Sequence, residues 1–487
     1  MIIVKLNKPE FEYDIHSLVK AFFPEENVSV TAEEKHYDEA ASWMFRMDYR
    51  EDGIAVEWRK NGEEEPAGQA YIAADFTERK EAKNQLKQGL YRILSGMTGK
   101  ELPWGTLTGI RPTKIPMTMM EEDITDEEIM QYMQDTYLIS KEKGELAIEI
   151  ARREKALLDT LHYEDGYSLY IGIPFCPTTC LYCSFTSYPI FSWEKRVSEY
   201  LTALEKEIDF VSSFYRDKIL DTIYIGGGTP TTLKAPELEC LLSYIEAKLD
   251  LSHLQEFTVE AGRADSITRD KLEVLRKHGV TRISVNPQTM NQKTLDLIGR
   301  RHTVEQVKEA FALAREVGFT NINMDIILGL PEETEAEVYH TIDEIVAMQP
   351  DSLTVHSLAV KRASKLSQWI EERGISMLNN TEETMKIAME GAKQLRMVPY
   401  YLYRQKNMSG NFENVGYATE GNFGIYNILI MEEKQTIVAL GAGSITKRVF
   451  PDGRIERCDN VKDVGLYIEK IDEMIERKKK LLSEPLE

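Results

Sequence analysis

From residue 167 onward the chain repeats one pattern: a short apolar stretch, a polar loop, then an amphipathic stretch of helical period. Residues 167–173, 222–225, 257–260, 282–285, 321–327 and 352–355 read as strands. Segments near 194–215, 236–248, 268–278, 304–317 and 335–348 read as the helices between them. Strands separated by whole helices cannot pair as hairpins, so they line up in parallel through right-handed crossovers. The pattern predicts an α/β fold, a partial (β/α)6 TIM-like barrel. In such a fold the residues that follow each strand gather at one end of the sheet, and active sites are built there.

The first of those loops carries three of the five cysteines, Cys176, Cys180 and Cys183, spaced C-x3-C-x2-C. Soft thiolates this close together suit an iron–sulfur cluster. A [4Fe–4S] cube has four iron corners, so three local cysteines leave one corner for another ligand. A zinc site short of its fourth ligand is an alternative, but His162 precedes the strand and no second C-x-x-C follows. Unligated thiols are another. Disulfides are disfavoured, because the two remaining cysteines, Cys240 and Cys458, stand far apart.

Further polar motifs follow the later strands. Gly226-Gly-Gly-Thr-Pro-Thr231 lies after the second. Glycines without Cβ atoms let a backbone approach a ligand and offer it amides, although a glycine run also makes ordinary turns. Glu260 ends the third strand, where a carboxylate accepts from ribose hydroxyls, the bland alternative being a surface glutamate. Gln288, Arg300 and Asp325 end or follow the fourth and fifth strands and are expected in the same cleft. Asp325 sits between Met324 and Ile326, and a buried carboxylate needs a partner, for which Arg300 is the candidate.

Tyr170-x-x-Ile-Pro-Phe-Cys176, Gly226-Gly-Gly-Thr-Pro-Thr231, Val259-Glu-Ala261, Arg282-Ile-Ser284 with Gln288, Ile298-Gly-Arg300 with His302, and Asn323-Met-Asp-Ile-Ile-Leu-Gly-Leu-Pro331 together resemble the oxygen-independent coproporphyrinogen III oxidase family of the radical S-adenosylmethionine (SAM) superfamily. The resemblance spans about 167–366, with a fainter match around Gly416-Tyr417 and Gly441-Ala-Gly443. Region 1–165 added to this core resembles the longer coproporphyrinogen dehydrogenase-like subgroup.

The resemblance implies a [4Fe–4S] cluster on Cys176, Cys180 and Cys183 and one or two SAM molecules. Tyr170, Gly227 and Glu260 would bind the cluster-bound SAM, with Ile445 against its adenine. Tyr182, Gly228, Thr229, Gln288, Arg300, Asp325 and Ala359 match positions that hold a second SAM. Glu260, Gln288, Arg300 and Asp325 are the residues expected closest to the chemistry. The implied reaction is hydrogen abstraction from a propionate by a 5′-deoxyadenosyl radical, then loss of carbon dioxide and an electron. Coproporphyrinogen III thereby becomes protoporphyrinogen IX, with flavodoxin or ferredoxin as electron donor. Two positions depart from the decarboxylase: Phe185 stands where a further cysteine is common, and Gly172 replaces the usual histidine. The cluster motif is thus more similar to the family's haem-chaperone branch, so haem delivery, or radical chemistry on haem itself, is the alternative.

The remaining sequence frames this core. A chain of 487 residues is too long for one ordinary core. The division expected is 1–165 as an N-terminal α+β domain of unassigned role, 166–375 as the partial barrel and 376–487 as a C-terminal substrate-covering α+β domain. In the first region alternating segments at 2–6, 43–47 and 54–58 suggest a largely antiparallel sheet. Leu86, Leu90, Ile93, Leu94 and Met97 mark a helix ending near Gly96 or Gly99. The loop 103–114, with Arg111 and Lys114, reads as a packing loop before a carboxylate-binding one. In the last region a helix carrying Met385 and Ala388 and a lysine-rich helix near 463–482 flank an aromatic, glycine-rich stretch. A net charge of −22 argues against nucleic acid and anionic membrane as partners. No apolar run matches a membrane span and 1–8 has no signal-peptide core, so reducing cytoplasm is the expected compartment.

Overall fold

The computed structural model describes residues 1–32, 41–60, 62–63, 65–109, 111–163, 165–360, 364–374, 378–404 and 412–484. The chain divides into two compact units, Met1–Arg152 with Arg404–Asn407, and Arg153–Tyr403 with Met408–Glu487.

In the first unit, strands β1 (Ile2–Leu6), β2 (Val28–Thr31), β3 (Trp43–Tyr49), β4 (Gly53–Lys60) and β5 (Gly68–Ala73) form a sheet of order β2-β1-β3-β4-β5. This sheet is mixed rather than largely antiparallel: β1 pairs in parallel with both β2 and β3, and only β3–β4 and β4–β5 are antiparallel. The cause is helix α1 (Glu12–Phe22), which returns the chain so that β2 runs alongside β1. Ile15, Leu18, Val19 and Phe22 of α1 and Leu86, Leu90 and Leu94 of α2 (Arg79–Thr98) share one core with the sheet. Gly99, in the left-handed region at φ 65°, ends α2 by donating to Ser95 O. Trp104 of the 103–114 loop is buried, with the Arg404 guanidinium over its ring and donating to Leu107 O at 2.5 Å. That loop's aromatic residue is used in packing.

The second unit holds the six expected strands, β6 (Gly166–Ile173), β7 (Ile219–Gly227), β8 (Glu256–Gly262), β9 (Arg282–Val285), β10 (Ile322–Leu328) and β11 (Ser352–Ser357), all parallel and adjacent in chain order. Helices Val197–Phe214, Ala235–Lys248, Arg269–Lys277, Val304–Val317 and Glu335–Met348 make the crossovers. Along one face of β6 the side chains are apolar and buried, with Tyr167, Leu169, Ile171 and Ile173 in the core.

Segment 376–487, expected as a separate domain, instead extends this same sheet at both ends. β13 (Asn414–Ala418) pairs antiparallel with β11 and carries β12 (Val398–Tyr403) outside it. On the far side β14 (Ile437–Leu440) runs parallel to β6, followed by β15 (Ile445–Val449) and β16 (Ile455–Asp459). The result is an open eleven-stranded sheet whose central strands have their edges covered. The lysine-rich stretch is two helices, Val464–Glu469 and Ile471–Leu482, broken at Lys470. Lys478 on the second is fully buried against Glu207. Glu207 also accepts from Gly441 N at 2.8 Å and Tyr467 Oη at 2.5 Å, which holds the Gly441 turn beside β6. No described helix is long and apolar enough to cross a membrane.

Candidate active site

Cys176 leaves β6 in a two-residue parallel ladder, Phe175–Cys176 against Tyr188–Pro189, which closes the cysteine loop at its base. The loop is pinned from several sides. Leu181 N donates to Ile298 O at 2.9 Å, Leu366 N donates to Leu181 O at 3.0 Å, and Thr178 Oγ1 donates to Gly299 O at 3.0 Å. Cys180 is buried, and Cys176 and Cys183 are half-buried. Thr229 Oγ1 lies 3.5 Å from Cys176 Sγ, and Ser187 Oγ 3.6 Å from Cys183 Sγ. Burial pushes the Cys176 thiol up to about 11, and Cys183 and Cys180 add to that, so the three sulfurs lie within electrostatic reach of one another.

Three soft thiols on one anchored loop fit the corners of an iron–sulfur cluster, and the cluster would remove their protons outright. Among the described residues no three His, Cys, Asp or Glu side chains converge on a point that would hold a single metal ion.

The glycine motif has a different job from the one expected. Gly228 N donates to Ile173 O at 2.8 Å and Thr229 N to Phe175 O at 2.7 Å, so both amides are taken by the strand leading into the cysteine loop. A Cβ on Gly228 would meet Phe175 O at 2.6 Å, and Gly227 has φ 106°. Here glycine lets β7 and the cysteine loop touch.

Glu260, at the end of β8, is no surface glutamate. Its Oε1 accepts from Tyr224 Oη at 2.5 Å. Burial raises its pKa to about 7; the Asp325 charge adds to this, while the Tyr224 hydroxyl and the Gly227 amide oppose it. Above it Tyr170, Tyr224 and Tyr426 stack, with Tyr224 and Tyr426 ring centroids 4.5 Å apart and Tyr170 6.2 Å from each. Burial raises all three phenols, so they are neutral donors.

Asp325 does not pair with Arg300. Burial works against its carboxylate, but His356, Asn323 and Thr354 outweigh that and hold its pKa below the ordinary range. Asn323 Nδ2 donates to it at 2.6 Å and His356 Nε2 stands 3.8 Å away, with His356 Nδ1 3.4 Å from Tyr403 Oη. The buried Arg300 turns instead to the cysteine loop, meeting Tyr182 and Cys180, and donates to Asn286 O at 2.5 Å. A guanidinium reaching the nearest buried acceptors satisfies more of its donors than one reaching across the sheet.

Gln288 stands in the left-handed region at φ 67°, held there because its N–H donates to Asp325 O and its C=O accepts from Ile327 N, each at 2.9 Å. Its side-chain Oε1, Asn286 Oδ1 and Arg300 Nε are buried with no hydrogen-bond partner among the described residues. Buried orphans beside a strained backbone mark a place shaped for a ligand. Ala359 lies half-buried just past β11. Ile445 opens β15 with 46% of its surface exposed, close to the cysteine loop, since a Cβ on Gly443 would meet Thr186 Oγ1 at 2.5 Å.

Sequence reasoning missed Tyr224, Tyr426, Asn286 and His356. Strand alternation was the available signal for Tyr224, which faces opposite to Ile223 and Ile225. For Tyr426, delivered by the helix Ile425–Glu432, there was none.

Comparison with known proteins now bears on this geometry. Residues 170–345 match the radical SAM superfamily, which uses a [4Fe–4S] cluster and SAM. The chain is 40% identical over 425 residues to the oxygen-independent coproporphyrinogen-III oxidase-like protein HemZ of Bacillus subtilis, covering 86% of this chain and 85% of that protein. It is also 40% identical to the heme chaperone HemW of the same organism over 195 residues, covering 40% of this chain and 51% of HemW. Coproporphyrinogen III oxidase HemN of Escherichia coli shares the fold, with a TM-score of 0.51 at 22% identity over 66% of this chain and 72% of that one. The partial barrel, the anchored cysteine loop and the extended likeness to HemZ place this chain in the radical SAM superfamily, in the family of oxygen-independent coproporphyrinogen-III oxidase-like proteins.

Proposed function

We propose that the chain is a radical SAM enzyme of tetrapyrrole metabolism that oxidatively decarboxylates coproporphyrinogen III to protoporphyrinogen IX without oxygen. A [4Fe–4S] cluster on Cys176, Cys180 and Cys183 would supply the electron that cleaves the sulfonium of SAM. The chain's own residues orient the reactants. Glu260 would accept from the ribose hydroxyls of the first SAM, in exchange for Tyr224, and Tyr170 and Ile445 would flank it. The observation that carries the two-SAM reading is the set of unpartnered atoms on Gln288, Asn286 and Arg300. They supply two acceptors and a cationic donor beside the cysteine loop, a match for an ammonium and a carboxylate. Asp325, with His356 and Tyr403, would close the opposite side of that subsite, with Tyr182, Gly228, Thr229 and Ala359 as its remaining walls.

Phe185 favours a second reading. It is 76% exposed two residues past Cys183, where the decarboxylase commonly has a further cysteine. The likeness to a heme chaperone supports haem binding and delivery as the alternative. One anaerobic experiment separates them: cluster-loaded protein, SAM, a flavodoxin or ferredoxin reducing system, and either coproporphyrinogen III or haem, with products identified by mass. A divinyl porphyrinogen together with 5′-deoxyadenosine is expected. No 5′-deoxyadenosine would overturn the enzymatic reading, and stoichiometric haem binding without turnover would put the chaperone in its place.

A further inference from the structure

The segment between Cys176 and Cys180 is gripped at Thr178 by a side chain that no motif pointed to. Arg263, just beyond β8, is 2% exposed. Its Nη1 donates to Thr178 O at 3.1 Å and to Thr178 Oγ1 at 2.6 Å. Its other face is fixed in a bidentate pair, Nε to Asp265 Oδ1 at 3.0 Å and Nη2 to Asp265 Oδ2 at 2.7 Å. Thr178 Oγ1 passes the restraint on by donating to Gly299 O at 3.0 Å.

A planar fork with five donors is used here as a bracket: one edge is locked by a carboxylate, the other holds a backbone carbonyl and a hydroxyl of the cysteine loop. Lysine carries the same charge but cannot make both edges at once. The groups around this bracket have definite charge. Arg300 meets the loop at Cys180, and His302 is buried within electrostatic reach of both guanidiniums, with neither ring nitrogen hydrogen-bonded among the described residues. Burial, and then Arg300, lower the His302 pKa to about 4, while Asp265 opposes them, so the ring is neutral. Asp265 neutralises Arg263 only in part at the cysteine side, because the carboxylate binds the far edge. The guanidinium itself is buried, so its charge is less screened than one at the surface.

We infer that Arg263 is a positioning residue for the iron–sulfur cluster: its guanidinium fixes the C-x3-C segment and its positive charge stabilises the cluster's reduced form. The inference rests on the three cysteines holding a cluster. Hydrogen bonding and charge near a cluster set its potential, and a cation favours the added electron.

The test uses the full chain, reconstituted anaerobically with iron and sulfide, as wild type, Arg263→Lys and Arg263→Gln. Iron and sulfide content, the midpoint potential from a dithionite titration followed by electron paramagnetic resonance, and the melting of the iron-free chain are read for each. Arg263→Gln is expected to shift the potential to more negative values and to lower cluster retention severalfold. Arg263→Lys is expected to keep the wild-type potential and to lose retention, because charge stays and the fork goes. Thr178→Val removes one side of the grip with the guanidinium in place, so it should lower retention without moving the potential. Should the lysine and glutamine variants both keep the wild-type potential and iron content, the inference fails while the cluster reading stands. Wild-type protein that keeps no iron would overturn both. A variant that melts lower yet holds its cluster at the same potential would make Arg263 purely structural and also overturn the inference.

Discussion

The two ends of the parallel sheet treat buried polar side chains in opposite ways. At the ends where the strands begin, the charged side chains of β7, β8 and β9 are partnered, while the hydroxyls of Thr258 and Ser352 are buried without a partner among the described residues. Asp221 of β7 faces His162 Nδ1 at 2.9 Å and accepts from Gln435 Nε2 at 2.5 Å. Glu256 of β8 accepts from Ile425 N at 2.7 Å and Tyr426 N at 3.2 Å. Arg282 of β9 donates to Asn321 Oδ1 and Asn422 O, each at 3.0 Å. Where the strands finish, Gln288, Asn286 and Arg300 each keep a buried atom unpartnered and Gln288 is strained. An unmade hydrogen bond in a buried place costs about 1–3 kcal/mol, so it persists where something other than stability is selected. The beginning ends secure the fold, and the finishing ends are where the proposed ligand subsites would lie.

The largest effect that would sharpen this contrast concerns the cysteines. Cys176→Ala, Cys180→Ala and Cys183→Ala are each expected to abolish cluster binding, whereas Cys240→Ala, an exposed thiol away from the loop, should keep full iron content. Iron and sulfide counts on reconstituted variants decide it. Retention of a whole cluster by any of the three would remove the cysteine loop from the functional end.

At the opposite end, Arg282→Met should cost stability and leave SAM affinity alone. It removes two hydrogen bonds and the positive charge that offsets the buried Glu256 carboxylate. Removing one partner of a buried charge pair costs roughly 3–5 kcal/mol. Chemical unfolding of the iron-free chain measures it, with SAM binding to the loaded variant as control. A stable variant that bound SAM poorly would invert the comparison.

Glu260→Gln should weaken SAM by about 1–3 kcal/mol if its carboxylate accepts from ribose hydroxyls, measured by equilibrium dialysis on cluster-loaded protein. The same variant has a pH signature. Burial raises the Glu260 pKa from 4.5 to about 7, so the folded state holds a proton that the unfolded chain has released. The unliganded wild type therefore carries this contribution in full below about pH 4.5 and loses it as the pH rises toward 7. Comparing unfolding midpoints across that window, Glu260→Gln should flatten the slope. An unchanged slope would mean that Glu260 is not held protonated.

Much of this was legible because it is local. Each of the six strands and five crossover helices is a contiguous period, and three cysteines inside one loop need no tertiary information. What stayed hidden is pairing across long separations. β14 joins β6 through contacts such as Ser168 Oγ to Gln435 Oε1, 267 residues apart, and no periodicity encodes that choice. Strand direction is equally silent in residue pattern, so β1 and β2 read as well antiparallel as parallel. Among site residues, the element order was legible: Asp325 stands midway along β10 and Arg300 just past the short helix Gln292–Leu297. Their partners were not, because a side chain's choice among nearby acceptors depends on distances of an ångström. The glycine motif shows the same limit: the need for a close approach was readable, but not that β6 would be the segment approaching.

The smallest predicted effect is the most discriminating. Gln288 pays for φ 67° as a residue with a Cβ, at about 1–2 kcal/mol for the left-handed conformation. Gln288→Gly removes that strain and the orphaned Oε1 together, while the freer unfolded chain takes back roughly 0.5–1 kcal/mol. The relief of strain and of the orphaned oxygen outweighs that loss, so the iron-free variant should unfold no more easily than wild type. SAM stoichiometry should fall, because the amide belongs to the proposed second subsite and not to the one beside Glu260. Loss of several kcal/mol on this substitution would show that Gln288 supports the fold as Arg282 does, and the distinction between the two ends of the sheet would then fail at its most strained residue.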